Sequence, residues 1–444
     1  MFSLVLRYFS SSSIRSDFLV PSISNDKMFS LVLRNFSSSS IRSDFLAPSC
    51  KTFKFLPPNY EEVKIYEGLN AKVKTNYGEL IDCMSENLCI SVGYRNEVVD
   101  NAVRKQQNKV NHVTTMFHNE TQSIAASDLV KTVPHYKYHD YTVHFTSSGS
   151  EAVDLAIQMA HAYMGMSTVI SLTNAYHGVQ GFAASVTDVP SMHSFPDLYK
   201  QSLRQIPSIE KFDDLFSNLI LPSAIIVEPI QGYGGVIELP EGFMTHAFDR
   251  IQDIGGITIC DEIQTGFGRT GKSFWGFQSH IPHKDLYPDI ITFAKGAGNG
   301  YPIAGIIVKR SIAEAFCQKK TFNTFAANPL GCVALSAVIK VIKQQNLMQR
   351  SKLLGDIFKN RVSDITQRQF SPFKQVRGSG LLQGIEVDGD MKRAVDIQLQ
   401  LLRMGVLMGR GGPLGNVLRF QPPMCLTVDE LLHTIKALEQ VKYN

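Results

Sequence analysis

The chain of 444 residues lacks the patterns that mark several large protein classes. Its seven cysteines, at 50, 83, 89, 260, 317, 332 and 425, are odd in number and include no Cys-x-x-Cys pair. That spacing indicates neither a zinc ribbon nor a disulfide framework, and it fits a reducing compartment. No run of Lys or Arg stands out. With 44 basic and 40 acidic residues the net charge is only +4, so neither a nucleic-acid footprint nor a membrane-surface patch is expected. The expected ligand is a small molecule. No segment is apolar for the roughly 18 residues that a membrane-spanning helix needs. No glutamate follows a histidine as in H-E-x-x-H, so His135, His139 and His144 of "HYKYHDYTVH" are expected on the surface or in packing, and no metal site is expected.

What is present begins with a near-exact repeat. "MFSLVLRYFSSSSIRSDFLVPS" at 1–22 and "MFSLVLRNFSSSSIRSDFLAPS" at 28–49 differ at two positions. Each copy is rich in Ser and Arg and poor in acids, and its apolar run is too short for a secretory signal core. Residues 1–50 therefore resemble a duplicated mitochondrial presequence, with a mature chain expected near Cys50 in the matrix. A serine-rich tail without an address, or a second start at Met28, are the other readings.

From about 120 to 330, β-branched runs alternate with helical patterns, which predicts an α/β fold with a mainly parallel sheet. Residues 96–330 are expected as a large domain. Residues 331–444 predict a smaller α+β domain, closed by a helix with a capping box at Thr427 and Glu430, and 51–95 are expected to join it. Five apolar runs of the large domain end in polar groups. "YTVHF" leads to Ser148, Gly149 and Ser150, "STVISL" to Tyr176 and His177, "SAIIV" to Glu228, "GITIC" to Asp261 and Glu262, and "DIITFA" to Lys295. Ligands of open α/β sheets bind beyond the carboxyl ends of the strands, so the five ends are expected to converge.

Each motif admits a plain reading as well as a chemical one. The strand–serine–glycine–helix unit at 145–164 is either an ordinary serine N-cap or a phosphate cradle at a helix N-terminus. Asp261 with Glu262 is a strand-end salt bridge, a metal site or half of a cofactor site. Lys295 is a strand-end cation with its stem on apolar surface, or a buried nucleophilic amine. Asp261 and Lys295 taken together suit pyridoxal phosphate, whose ring nitrogen needs a carboxylate and whose aldehyde needs an amine. "GFGRTG" at 266–271 matches a dinucleotide fingerprint, but the residues after it lack helical periodicity, so a tight structural loop is expected.

Taken in order, "SSGSEAVDLA", "AYHG", "IVEPIQGYGG", "CDEIQTGFGRTGKSFWGFQ", "DIITFAKGAGNGYPIAG" and "TFNTFAANPLGCVA" resemble the class III pyridoxal-phosphate aminotransferases, over roughly residues 55–440. The resemblance implies the fold type I architecture, a large domain with a mainly parallel seven-stranded sheet and a smaller α+β domain. It implies Lys295 as the Schiff-base lysine, Asp261 on the pyridine nitrogen, and Ser148, Gly149 and Ser150 at the phosphate. Tyr176 would stack on the ring with His177 beside it, and Gln264 would meet the ring hydroxyl. Thr324 would reach the phosphate of a neighbouring subunit, which implies a homodimer or a homotetramer. Arg419 and Glu228 would lie on the substrate side, Arg419 as a fork for an α-carboxylate. "FNTF", "VRGSGLLQGIE" and "MGVLMGRGG" are most similar to the alanine–glyoxylate branch of the family, which implies alanine as amino donor and glyoxylate as acceptor. An ornithine or 4-aminobutyrate type, a phospho-lyase on the same scaffold, a nicotinamide dehydrogenase and an inactive binding relative are the rivals. Glu86, Ala326 and Ala327 stand where the family usually has glycine, Val153 where it has asparagine, and "GYRNEVV" at 93–99 departs from its usual histidine motif.

Overall fold

The computed structural model describes residue 56 and residues 61–134, 137–189, 202–217, 221–281, 286–319 and 321–442. The duplicated leader, the expected start near Cys50 and His135 lie outside the described residues.

In chain order, an antiparallel meander β1 (Ile65–Leu69), β2 (Lys72–Thr75) and β3 (Gly78–Asp82) is followed by helices α1 (Glu97–Gln107) and α2 (Glu120–Val130). A long α/β segment comes next, with β4 (Tyr141–Thr146), α3 (Gly149–Met164), β5 (Val169–Leu172), β6 (Ser202–Gln205), β7 (Ala224–Val227), a short hairpin β8–β9 (Ile230–Gln231 and Ile237–Glu238), α4 (Phe243–Asp253), β10 (Ile257–Asp261), β11 (Ile290–Phe293) and β12 (Ala304–Lys309). The C-terminal part holds α5 (Pro329–Gln344), α6 (Leu347–Thr366), β13 (Phe373–Ser379), β14 (Leu382–Val387), α7 (Met391–Arg403), β15 (Val406–Leu407), β16 (Gly409–Gly411), β17 (Val417–Phe420) and α8 (Val428–Glu439).

The central sheet has seven strands in the order β4-β12-β11-β10-β7-β5-β6, all parallel except β12. The expected α/β fold with a mainly parallel seven-stranded sheet is the observed one. Both faces are covered, so β5, β7, β10 and β11 are buried along their whole lengths. That is why they read as unbroken apolar runs instead of alternating ones. Ile225, Ile226, Ile259, Ile290 and Ile291 have no exposed surface, and each such side chain contributes about 1.5–3 kcal/mol of burial.

Helix α3 starts where Ser148 leaves the strand conformation. Its Oγ accepts from Glu151 N, and the Glu151 carboxylate accepts from the amides of Ser147 and Ser148. Gly165, at φ 67°, ends the helix in a left-handed cap. Val153, Ala156, Ile157 and Ala160, which helical spacing puts on one face, are all buried.

A four-stranded antiparallel sheet, β13-β14-β17-β16, forms the C-terminal part, and β15 leaves it to pair in parallel with β3. The N-terminal meander thus joins the C-terminal segment. Helix α5 packs on α1 and α2, while α6 packs on β13 and α8. Thr427 and Glu430 do form the capping box of α8. "GFGRTG" is a turn, not the start of a nucleotide-binding helix. Arg269 within it is buried and donates to the carbonyls of Leu381 and Pro422, so the loop ties the central sheet to the C-terminal part.

Candidate active site

The five strand ends meet. A cavity of about 340 Å³ is lined by Ser147 to Ser150 after β4, Tyr176 and His177 after β5, Glu228 after β7, Asp261, Ile263 and Gln264 at β10, and Lys295 after β11. This volume falls in the range of small-molecule and cofactor sites. Cys89 and the segment Tyr301–Ile303 close the rest.

Asp261 is 4% exposed and fully engaged as an acceptor. Its Oδ2 lies 2.7 Å from His177 Nδ1, and its Oδ1 accepts from Thr292 Oγ1 at 3.0 Å and from Ile263 N at 3.2 Å. A carboxylate held by three donors has one orientation. An imidazole nitrogen this close to a carboxylate oxygen carries its proton on that nitrogen, so His177 braces Asp261. The acid thereby presents a carboxyl group of fixed orientation to the cavity.

At the end of the neighbouring strand β11, Lys295 follows Ala294 in a left-handed backbone conformation, φ 47°. Burial, and after it the positive charge of Arg419, holds its ammonium pKa below the usual lysine range. Glu228 is 3% exposed; its carboxylate accepts from Tyr176 N at 3.0 Å and Gly232 N at 3.1 Å. Burial pushes its pKa up to about 7, with the Asp261 charge adding to the rise and His177 opposing it.

Polar atoms without protein partners show what the cavity lacks. Among the described residues, Ser147 Oγ, His177 Nε2 and Gln264 Oε1 are buried and unpaired. Leaving such an atom unsatisfied costs about 1–3 kcal/mol. Gly232 approaches Gln264 so closely that a Cβ there would sit 2.2 Å from Oε1, so the backbone presses this amide into place. The hydroxyls of Ser148 and Ser150 accept from Glu151 N and Val179 N and keep their own protons to donate. The amides of Gly149 and Ser150 stand in the first turn of α3, where backbone N–H groups and the helix dipole favour an anion. An anion cradle, an acceptor for a hydroxyl, a flat aromatic, a fixed carboxylate and a buried amine match pyridoxal phosphate group by group.

Two expected residues are not in this lining. Thr324 is exposed and stands away from the cavity. Arg419, on β17, is 5% exposed; its guanidinium lies over the Tyr233 ring, 5.5 Å from the centroid, and Nη2 donates to Asn87 Oδ1 at 3.3 Å. It acts on the site through charge, as its effect on Lys295 shows. Glu228 makes no ion pair with it. Ser147, Thr292, Ile263, Cys89 and Tyr233 belong to the site's surroundings and were not singled out as site residues from sequence. Thr292 could have been found by alternation, since it stands on the β11 face that borders Asp261 in the parallel register.

The chain matches the class III aminotransferase family over residues 55–441. It is 32% identical over 400 residues to mitochondrial alanine–glyoxylate aminotransferase 2 of Homo sapiens, covering 79% of this chain and 76% of that protein. It is 28% identical over 404 residues to an ethanolamine-phosphate phospho-lyase homologue of Caenorhabditis elegans, covering 82% and 84%. The solved ornithine aminotransferase of Toxoplasma gondii shares the fold, with a TM-score of 0.80, 24% identity, and coverage of 94% of this chain and 97% of that one. Sequence match, fold and cavity agree: the chain belongs to the class III aminotransferases, enzymes that work with pyridoxal phosphate.

Proposed function

We propose that the protein transfers an amino group from alanine to glyoxylate by a ping-pong reaction in the mitochondrial matrix. The observation that carries this reading is Arg419, a buried guanidinium that among the described residues has two unpaired nitrogens and no carboxylate on it, within electrostatic reach of Lys295. Such a group suits the carboxylate of a small amino or oxo acid. The similarity to the human enzyme and the presequence-like repeat support the substrates and the compartment.

Lys295 would hold the cofactor covalently, with Asp261 at its ring nitrogen, Tyr176 against its face, Gln264 at its hydroxyl, and Ser148, Gly149 and Ser150 at its phosphate. Pyridoxal phosphate supplies an aldehyde and a ring that withdraws electrons when its nitrogen is protonated. Asp261, braced by His177 and Thr292, keeps that nitrogen protonated. Once free, the Lys295 amine takes the α-proton of the donor as general base, and its lowered pKa increases the neutral fraction available for this. Arg419 orients the α-carboxylate. Glu228, uncharged part of the time near neutrality, lets a carboxylate-bearing substrate approach without full repulsion.

The partner is a second copy of the chain. Met116, Phe117, Phe322 and Phe325 are each more than 60% exposed, exposed apolar groups of the kind that partner surfaces cover, and Thr324 stands between the last two in sequence. A homodimer covers this surface and brings Thr324 to the neighbour's phosphate. Sedimentation of the holoenzyme should give a dimer or a dimer of dimers; a monomer would contradict this. For the reaction, purified holoenzyme with alanine and glyoxylate should form pyruvate and glycine with parallel double-reciprocal lines. Release of phosphate from phosphoethanolamine without transamination would favour the phospho-lyase reading instead.

A further inference from the structure

Arg419 is an unusual buried cation because its one acceptor among the described residues is neutral. Asn87 Oδ1 takes Nη2, while Nε and Nη1 are buried without an acceptor among the described residues. The side chain has little freedom to turn away. Gly411 on the neighbouring strand lies so near that a Cβ would meet Arg419 Cδ at 3.1 Å, and Tyr233 lies under the guanidinium. The Tyr233 ring in turn rests against Tyr176 at 5.1 Å, which connects this seat to the cavity.

Asn87 reaches Arg419 from an improbable backbone. Ser85, Glu86, Asn87 and Leu88 have φ of 49°, 47°, 58° and 71°, four successive residues in the left-handed region that L side chains avoid. The turn is pinned on several sides. Buried Asp82 accepts from Met84 N at 2.8 Å and from the Tyr94 hydroxyl at 2.7 Å, and Ser85 Oγ donates to the Gln421 carbonyl. Leu88 N donates to Met84 O, and Ile90 N to Ser85 O. A strained turn held this firmly points to a function for what it presents. It presents Asn87 to Arg419 and, two residues on, Cys89 to the cavity of Lys295.

We propose that Asn87 is a specificity-determining placeholder: its amide oxygen occupies the carboxylate seat on Arg419 until a substrate carboxylate displaces it. The proposal rests on the transaminase reading above. An amide oxygen satisfies part of the guanidinium without neutralising it. A ligand carboxylate adds the opposite charge that the amide lacks and can pair with the guanidinium in bidentate fashion through the unpaired nitrogens, so it displaces an amide but would not displace a resident carboxylate. The enzyme is thereby set for small acids whose carboxylate stands beside the reacting carbon.

The test is Asn87→Asp, an isosteric change to a residue that also tolerates the left-handed region. With propionate as a non-reacting probe, calorimetry on the holoenzyme should show Kd rising about tenfold or more, because the new carboxylate pairs with Arg419. KM for alanine should rise in parallel, with kcat changing less than about threefold, since the new charge opposes binding and not the later proton transfer. Asn87→Ala removes the oxygen without adding charge and should bind propionate at least as tightly as the wild type. Wild-type-like propionate binding by a correctly folded Asn87→Asp, weaker binding by Asn87→Ala, or no binding by the wild type would each overturn the proposal. A wild type that binds propionate and responds to both variants but transaminates nothing would instead remove the transaminase reading and leave the seat intact.

Discussion

Glu228 shows how a single residue's surroundings set both chemistry and stability. The buried carboxyl keeps its proton up to about pH 7, whereas an unburied glutamate loses it near 4.5. Between those values the folded state binds more protons than the unfolded chain, so this residue makes the protein less stable as pH rises through that window, by at most about 3 kcal/mol. In the cofactor-stripped protein, Glu228→Gln should gain in melting temperature relative to wild type as pH goes from 5 to 7.5. Parallel melting curves across that range would show that the carboxyl is not held protonated. The same logic in reverse applies to Lys295, where burial and Arg419 favour the neutral amine on which proton transfer depends.

At the scale of elements, the site is built from strand ends and strained turns. Ala327, buried and at φ 53°, occupies a left-handed position in the turn before α5. An L side chain there costs about 1 kcal/mol, so Ala327→Gly should raise the melting temperature by about 1 °C, and a fall would mean that its methyl packs more usefully than the backbone suffers. Glu86, another of the three positions where the family usually has glycine, is also left-handed, so these two departures have one physical meaning, while Ala326, the third, does not have a positive φ. The strand ends were legible in the sequence because fully buried parallel strands appear as apolar runs that stop at their functional residues. The serine N-cap of α3 was legible from its strand–serine–glycine–helix pattern, and the capping box of α8 because its bonding residues are three apart. The turn at 85–88 was not, since nothing in Ser-Glu-Asn-Leu specifies four left-handed residues; that conformation is imposed by Asp82, Tyr94 and Gln421. Nor was the seat of Arg419, whose Asn87 partner is 332 residues away and whose Tyr233 neighbour carries no motif signal.

Across the whole molecule, the arrangement depends on segments far apart in sequence. The parallel pairing of β15 with β3, and Arg269 reaching Leu381 and Pro422, bring the first and last parts of the described chain against the sheet that carries the cavity. Among the described residues no helix is long and apolar enough to cross a membrane. The account as a whole depends on Lys295 being the residue that holds the cofactor. Borohydride reduction of the holoenzyme followed by peptide mass mapping tests this directly. A pyridoxyl adduct on Lys295 is the predicted result; an adduct on a different lysine, or none on a protein that retains its cofactor absorbance, would contradict it.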